Sequence, residues 1–335
     1  MWAIENLTRY QADSTWVRDK DGVHSWVVAV KGTFDIAQDG VLTLAKSQLE
    51  PLVSPVYNGA PGLSSLRYDA DLDAPKPTTD ILLNGTAYAP LGQPAKSFDV
   101  SMTVGPVHKA LRVVGDRWWL PGGAAGMASG VTPVKSVPLV YERAYGGFDR
   151  TDPDPRNQRM DARNPCGCGV VARIAGRVGQ RLPNLLYPNG AIDKTGPAGF
   201  GAIDRHWSPR RAYAGTYDEA WQESRMPLLP ADWDPRFLLC APADQQPPDR
   251  LTGGETVKLV NLSPGGMLSF RLPRAHLVFN TRIGTRRIEH RSHVATVIIE
   301  PDTPRVIMVW VTALPCGNDG DYLEETVITE KERIR

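Results

Sequence analysis

The 335-residue sequence predicts a mostly β protein made of antiparallel sheets, sandwich-like or as two packed β-rich portions. Three observations lead there. Glycine (31) and proline (29) together make about 18% of the chain, above the usual ~12%, and both residues interrupt helices. Apolar and polar residues alternate with period two in one segment after another, as in sheets with one wet face. Each segment is short and ends at a Gly or Pro turn.

The first portion, residues 1–147, carries most of one strand series. "SWVVAVKGTFDI" (Ser25 to Ile36) follows Asp21-Gly22, a strong hairpin-turn signal. "VLTLA" resumes the pattern after Gly40, and "DILLNGTAYAP", "FDVSMTVGP", "HKALRVVGDRWWL" and "VPLVYERAYGG" complete the series. The last portion, 251–335, adds "TVKLVNL", "GMLSFRLP", "HLVFNTRIG", "VATVIIEP" and "RVIMVWVTALP". Val294 to Ile299 is almost continuously apolar and reads as a central strand covered on both faces. The two portions share a texture but no residue-level repeat.

Between them, residues 148–250 hold 13 of the 29 prolines and only scattered periodicity. Phe200, Trp207, Trp221, Trp233 and Phe237 are too many large aromatics for a solvated linker. The reading is an ordered, aromatic-pinned excursion from a β scaffold, a kind of place that hosts binding. One helix start stands out within it. Thr216-Tyr217-Asp218-Glu219 fits a capping box, with the Thr216 hydroxyl accepting from the Glu219 N–H and the Glu219 carboxylate reaching back. Asp218 suits the positive end of such a helix and Arg225 its negative end, and Pro227 stops it.

Several function classes drop out on composition and motif. A net charge of +1 provides no field to attract nucleic acid or an anionic membrane. Met1-Trp2-Ala3-Ile4-Glu5 lacks the basic stretch and apolar run of a secretory signal, and no run approaches the ~20 apolar residues of a membrane span. Cys166, Cys168, Cys240 and Cys316 do not form the two close pairs of a structural zinc site, and reduced thiols in the cytoplasm fit them better. "LPGGAAGMASG" lacks the Gly-Lys-Ser/Thr ending of a phosphate loop, and "GPAGFG" has the wrong spacing for a dinucleotide fingerprint. There is no G-x-S-x-G elbow and no H-E-x-x-H zinc motif. Asp69, Asp71, Asp73 and Asp80 have partial calcium-loop spacing, but Ala74 replaces the needed glycine, so a plain acidic turn before Ile81 is the simpler reading. Asp149, Asp152 and Asp154, interleaved with prolines, also read as turn residues. No cofactor and no metal are expected.

"GFGAIDRHWSPRRAYAGTYDEAW", residues 199–221, concentrates the remaining chemistry. Asp204, His206, Asp218 and Glu219 could be acid–base equipment, and carboxylates beside aromatics could serve a carbohydrate-active or carbohydrate-binding protein. A capped helix start already employs Asp218 and Glu219, and His206 between Arg205 and Trp207 reads as a loop histidine without a catalytic partner. The chain is therefore expected not to be an enzyme. Interfaces draw their energy from Trp, Tyr and Arg anchors, which makes Arg205, His206, Trp207, Arg210, Arg211, Tyr213, Tyr217 and Trp221 the candidate partner-binding residues. More than half of Trp207, Tyr213, Tyr217 and Trp221 are expected inside, with Arg205, Arg210 and Arg211 facing solvent. A secondary basic patch, Arg282, Arg286, Arg287 and Arg291 with His290 and His293 alongside, reads as the polar face of an exposed hairpin turning near Gly284, or as a docking patch for an acidic protein surface.

Taken in order, "MWAIENLT", "WVVAVKGTFDI", "LPN", "PAGFGAIDRHWSPRRAYAGTYDEAW", "PADWDPRFLLCAPADQQ" and "LTGGETVKLVNLSP" resemble a bacterial family catalogued as a domain of unknown function and encoded in type VI secretion gene clusters. The resemblance runs from Trp2 to Trp310 and is most specific from Pro197 to Gln246. It implies a cytoplasmic accessory protein, an adaptor or chaperone that binds a cognate toxic effector and helps load it onto the VgrG spike. No catalytic residue comes with it. The partners expected are therefore the effector and VgrG, with no nucleic acid and no membrane. A carbohydrate-directed protein using 199–221 is the alternative, and a structural part of the spike assembly a third reading.

Overall fold

The computed structural model describes residues 2–122, 127–171, 178–190 and 192–331; the glycine-rich run at 120–130 lies partly outside them. Fifteen strands build three main sheets. The central sheet takes β2 (Gln11–Arg18), β3 (His24–Ile36), β4 (Leu42–Leu44), β5 (Asp80–Leu83), β13 (His293–Glu300) and β14 (Arg305–Pro315). Its order is β2-β3-β14-β13-β5, with β4 pairing β3. A second sheet has β6 (Ser97–Val104), β7 (Val107–Val114), β8 (Leu185–Leu186), β9 (Thr256–Val260) and β10 (Met267–Arg271) in the order β8-β7-β6-β9-β10. A third has β1 (Ala3–Asn6), β11 (Leu277–Ile283), β12 (Arg286–Arg291) and β15 (Leu323–Glu330) in the order β1-β15-β11-β12.

The pairs are antiparallel except β1 with β15 and β5 with β13, which run parallel. Strands from the two ends of the chain share all three sheets: β3 pairs β14, β6 pairs β9, and β1 pairs β15. The sheets thus do not divide at the boundaries of the sequence portions.

Period-two alternation sorts side chains between two faces of the central sheet. Trp26, Val28, Val30, Met308 and Trp310 point into one large core, shared with Val100, Met102, Leu259, Phe279 and Ile328 of the other two sheets. The opposite face presents Leu82, Ile298 and Ile307 to Leu66, Ala202, Cys240 and Ala241, which belong to segments outside the three sheets. Val294 to Ile299 is accordingly buried on both faces, the expected central position. Full burial of each such aliphatic side chain contributes about 1.5–3 kcal/mol.

The turn signals hold. The β2–β3 hairpin closes over Asp19 to Val23, and Gly284 at φ +55° turns β11 into β12. β1, β2 and β15 were not expected as strands; the LEETVITE sequence of β15 alternates too weakly to stand out, yet its Thr326 is fully buried and accepts from Trp26 Nε1. "VPLVYERAYGG" makes only the short strands Ser136–Pro138 and Tyr145–Gly146 around a 3-10 turn at Tyr141–Arg143. No helix among the described residues is long and apolar enough to cross a membrane. All four cysteines are free thiols.

The basic hairpin is less uniform than its sequence. Arg282 pairs with Glu324 at 2.7 Å and Glu325 at 3.2 Å, Arg286 pairs with Asp319, and Arg287 and Arg291 are exposed. His290 turns inward, contrary to its place on a polar face. Its ring stacks on Phe279 and bonds the hydroxyls of Thr281 and Thr312 at 2.8 Å each. Burial lowers His290 to about 4, and burial with Arg250 lowers His293 to about 4.

Both imidazoles therefore stay neutral in the folded state while the unfolded chain takes up protons below its ordinary ~6.5. Stability present above pH ~6.5 should fall as pH drops toward 4. Urea midpoints measured across this window should decline, and His290→Gln with His293→Gln should flatten the decline. An unchanged slope in the double variant would assign the effect to other groups.

Candidate partner-binding site

The excursion is fixed to the loop face of the central sheet by buried ion pairs. Asp69 is the hub. Its Oδ2 accepts from Arg210 Nη2 at 2.6 Å, with both side chains almost fully buried, and its Oδ1 accepts from Arg205 Nη2 at 3.2 Å. Arg210 also donates to the carbonyls of Phe237 and Ile203 at 2.7 and 2.9 Å. The Phe237 ring lies within 6 Å of both guanidinium groups, a favourable cation–π placement. Burial pushes the Asp69 carboxyl up, but Arg210, Lys76 and Arg205 outweigh it and hold the group below the usual carboxylate range.

Three further acids on this face are neutralised in the same way. Lys76 Nζ donates to Asp80 Oδ2 at 2.7 Å and to Thr296 Oγ1 at 2.8 Å, while Asp80 accepts the backbone N–H groups of Cys240 and Ala241 at 2.9 Å each. Burial pulls the Lys76 ammonium down, but the charge and hydrogen bond of Asp80 outweigh it and hold the group above the usual lysine range. Lys31 Nζ meets Asp71 at 2.8 Å. Glu300 accepts from Tyr68, from Arg305 Nε at 2.6 Å and from Arg67 at 3.4 Å. Gln245 adds neutral ties, donating to the carbonyls of Ile81 and Phe200 at 2.6 and 2.9 Å.

This layer corrects the reading of Asp69, Asp71 and Asp80 as a plain acidic turn. Their side chains are buried, and lysine or arginine supplies the positive charge a cation would bring. No His/Cys/Asp/Glu cluster able to hold a metal occurs among the described residues. Asp149, Asp152 and Asp154 do accept local backbone N–H groups in turns. Asp80 stood out in sequence only through its partial calcium-loop spacing, and Lys76 and Glu300 were not singled out. The neighbouring signal was that Cys240 and Gln245 sit in the most specific segment of the family resemblance.

Above the base, residues 211–236 form an outward tip. Helix α1 (Glu219–Ser224) buries none of its residues. Its N-cap is Asp218, whose Oδ1 accepts from Trp221 N at 2.9 Å, and not Thr216. Asp232 has taken Thr216, accepting from its N–H and hydroxyl at 3.0 and 2.8 Å. Gly215, at φ +82°, makes that closure possible, since a Cβ there would meet Pro230 at 2.7 Å. Trp221 Nε1 donates to the Leu228 carbonyl, and Arg225 reaches Leu229 and Lys20 carbonyls, tying the tip to the β2–β3 turn.

The eight candidate residues separate into two layers. Arg205, Trp207 and Arg210 belong to the base; Trp207 is buried with its ring edge-on to Tyr141 at 5.5 Å. His206, Arg211, Tyr213, Tyr217 and Trp221 lie outside it. Two expectations fail. Arg210 is 3% exposed instead of solvent-facing, because Asp69 needs its charge inside. Of the four aromatics only Trp207 is buried; Tyr217 is 53% exposed and packs edge-on against half-buried Trp221 at 4.7 Å. Tyr213 is half-buried under the Arg236 guanidinium at 4.3 Å. Asp204 is buried, accepts the His206 backbone N–H at 2.9 Å and faces Tyr57, whose hydroxyl is pushed up to about 12 by burial and this carboxylate. The Asp204–His206 contact thus leaves the imidazole itself unused.

Arg210→Met should destabilise the protein by about 3–5 kcal/mol in urea unfolding, because it leaves Asp69 buried with a poorer partner. Adding Asp69→Asn should recover part of that loss. A single-variant cost under about 1 kcal/mol would mean that the pair is not the lock described here.

No curated protein and no solved structure matches this chain. A family profile does, over residues 21–311, and so across both sheet-forming portions, the ion-paired base and the tip. The chain belongs to the bacterial family described as "Uncharacterized protein conserved in bacteria (DUF2169)".

Proposed function

We propose that the protein is a type VI secretion adaptor or chaperone, without catalytic activity of its own, that binds a cognate toxic effector in the cytoplasm and helps load it onto the VgrG spike. The observation that carries the reading is a tip of exposed aromatic and arginine side chains on an ion-paired base. Tyr217, Trp221, Arg211 and Met226 offer anchors of the residue types that dominate interface energies, and Met226 is 64% exposed. Their support is already ordered, so little conformational freedom is lost on docking. Resemblance to proteins encoded in type VI secretion clusters supports the choice of partner.

The carboxylates that motivated a carbohydrate-directed reading have structural tasks: Asp204 is buried in its loop and Asp218 caps α1. Affinity capture of the tagged protein from its own bacterium should recover effector and VgrG together. Arg211→Glu with Tyr217→Ala should reduce effector recovery at least about tenfold while leaving the thermal midpoint within a few degrees. Capture of neither partner, together with glycan binding or turnover by the purified protein, would overturn the proposal.

A further inference from the structure

A second surface, sharing no residue with the tip, has the chemistry of a peptide-docking groove. A groove of about 700 Å³ runs between the β3–β4 turn and edge strand β10, and meets a second of about 540 Å³ at Arg9. Its floor is partly apolar: Val41 is 55% exposed, and Leu42 and Leu44 are half-buried beside the buried rings of Phe34 and Phe270. Gly40 fixes one wall. At φ +81°, with the place of a Cβ only 2.0 Å from the Ser269 carbonyl oxygen, it lets the turn lie directly on β10.

The rim is basic and poorly neutralised. Arg9 is 71% exposed and meets Glu330 only at 3.9 Å. Arg271 and Arg274 are exposed and make no ion pair among the described residues, while Arg274 Nε is aimed by the Gly253 carbonyl at 2.7 Å. Lys331, also exposed, reaches Glu289 at 3.8 Å. Two carboxylates lie among these cations, Asp39 accepting the Val41 N–H and Glu330 the Tyr10 hydroxyl. Arg9 and Arg271 thus border the aliphatic floor, and Arg274 and Lys331 line the adjoining groove, in a chain whose net charge is only +1. On the β11–β12 hairpin, by comparison, Arg282 and Arg286 are spent on Glu324, Glu325 and Asp319, which leaves Arg287 and Arg291 exposed.

We infer that this groove binds an extended, acidic segment of a partner protein, its carboxylates on Arg9, Arg271, Arg274 and Lys331 and its apolar side chains on Val41, Leu42 and Leu44. A nucleic acid would meet the cations but would leave the aliphatic floor unused. An uncharged apolar peptide would use the floor but leave the rim unpaired.

Fluorescence anisotropy of the full chain tests this with a labelled short peptide of Asp, Glu, Phe and Leu. The expected result is saturable binding that weakens at least about tenfold when Arg9→Ala and Arg271→Glu are combined, and also on raising the salt. A peptide of Asp, Glu, Ser and Gly should bind at least about fivefold more weakly, for want of the apolar contacts. Tyr217→Ala should leave the affinity unchanged, so that failure of the groove and failure of the tip can be told apart. Equal binding by a Lys, Phe and Leu peptide, tighter binding by a short oligothymidylate, or unaltered affinity in the double variant at an unchanged thermal midpoint would overturn the inference.

Discussion

A carboxylate taken out of water must find a positive partner, and Asp69 finds Arg210, 141 residues further along the chain. That requirement organises one whole face of the central sheet. Asp71, Asp80 and Glu300 make the same demand and are met by Lys31, Lys76 and Arg305. The opposite face closes chiefly by apolar packing, with the Trp26–Thr326 hydrogen bond within it, whereas this one closes only when particular charges also meet. Ion pairs of this kind add little net stability over apolar substitutes. Their effect is to admit one placement of the loops and penalise the others, because each misplacement strands a buried charge.

The consequence is a division of labour along a single excursion. The stretch from Arg205 to Arg210 is held against the sheet and spends both of these arginines on Asp69. The following residues, freed from that duty, leave Tyr217, Arg211 and α1 facing outward on a support that cannot easily shift. Preorganisation of this sort lowers the ordering cost of docking. Short local bonds, such as Asp218 to Trp221 and Asp232 to Thr216, keep the tip's own shape.

How far this could be read in advance depended on the range of the interactions. Val294 to Ile299 announced its doubly covered position through composition, and Asp21-Gly22 and Gly284 announced their turns, because burial pattern and turn chemistry are local. Thr216 to Glu219 had the spacing of a capping box, yet Asp232, 16 positions away, competes successfully for the threonine. Arg210 looked like a surface residue for the same reason that Asp69 looked like part of an acidic turn: neither sequence neighbourhood contains its partner. Tyr217 and Trp221 looked like core, but their edge-on contact with each other satisfies much of their demand for packing without burying both. β15 was missed because its strand character comes from its position between β1 and β11, and not from its own weak alternation.

The central claim is that the base of the excursion is part of the central sheet's cooperative unit while the tip is only carried by it. Native-state hydrogen exchange addresses that most directly. The Ile203, Cys240 and Ala241 amides, bonded to the Cys240 carbonyl and the Asp80 carboxylate, should exchange at the free energy of β13 and β14, with α1 opening far more readily. Arg210→Met should drop the base amides to the level of the tip while the β13 and β14 amides stay slow relative to them. Base amides that already exchange as fast as α1 in the unaltered protein would contradict the account.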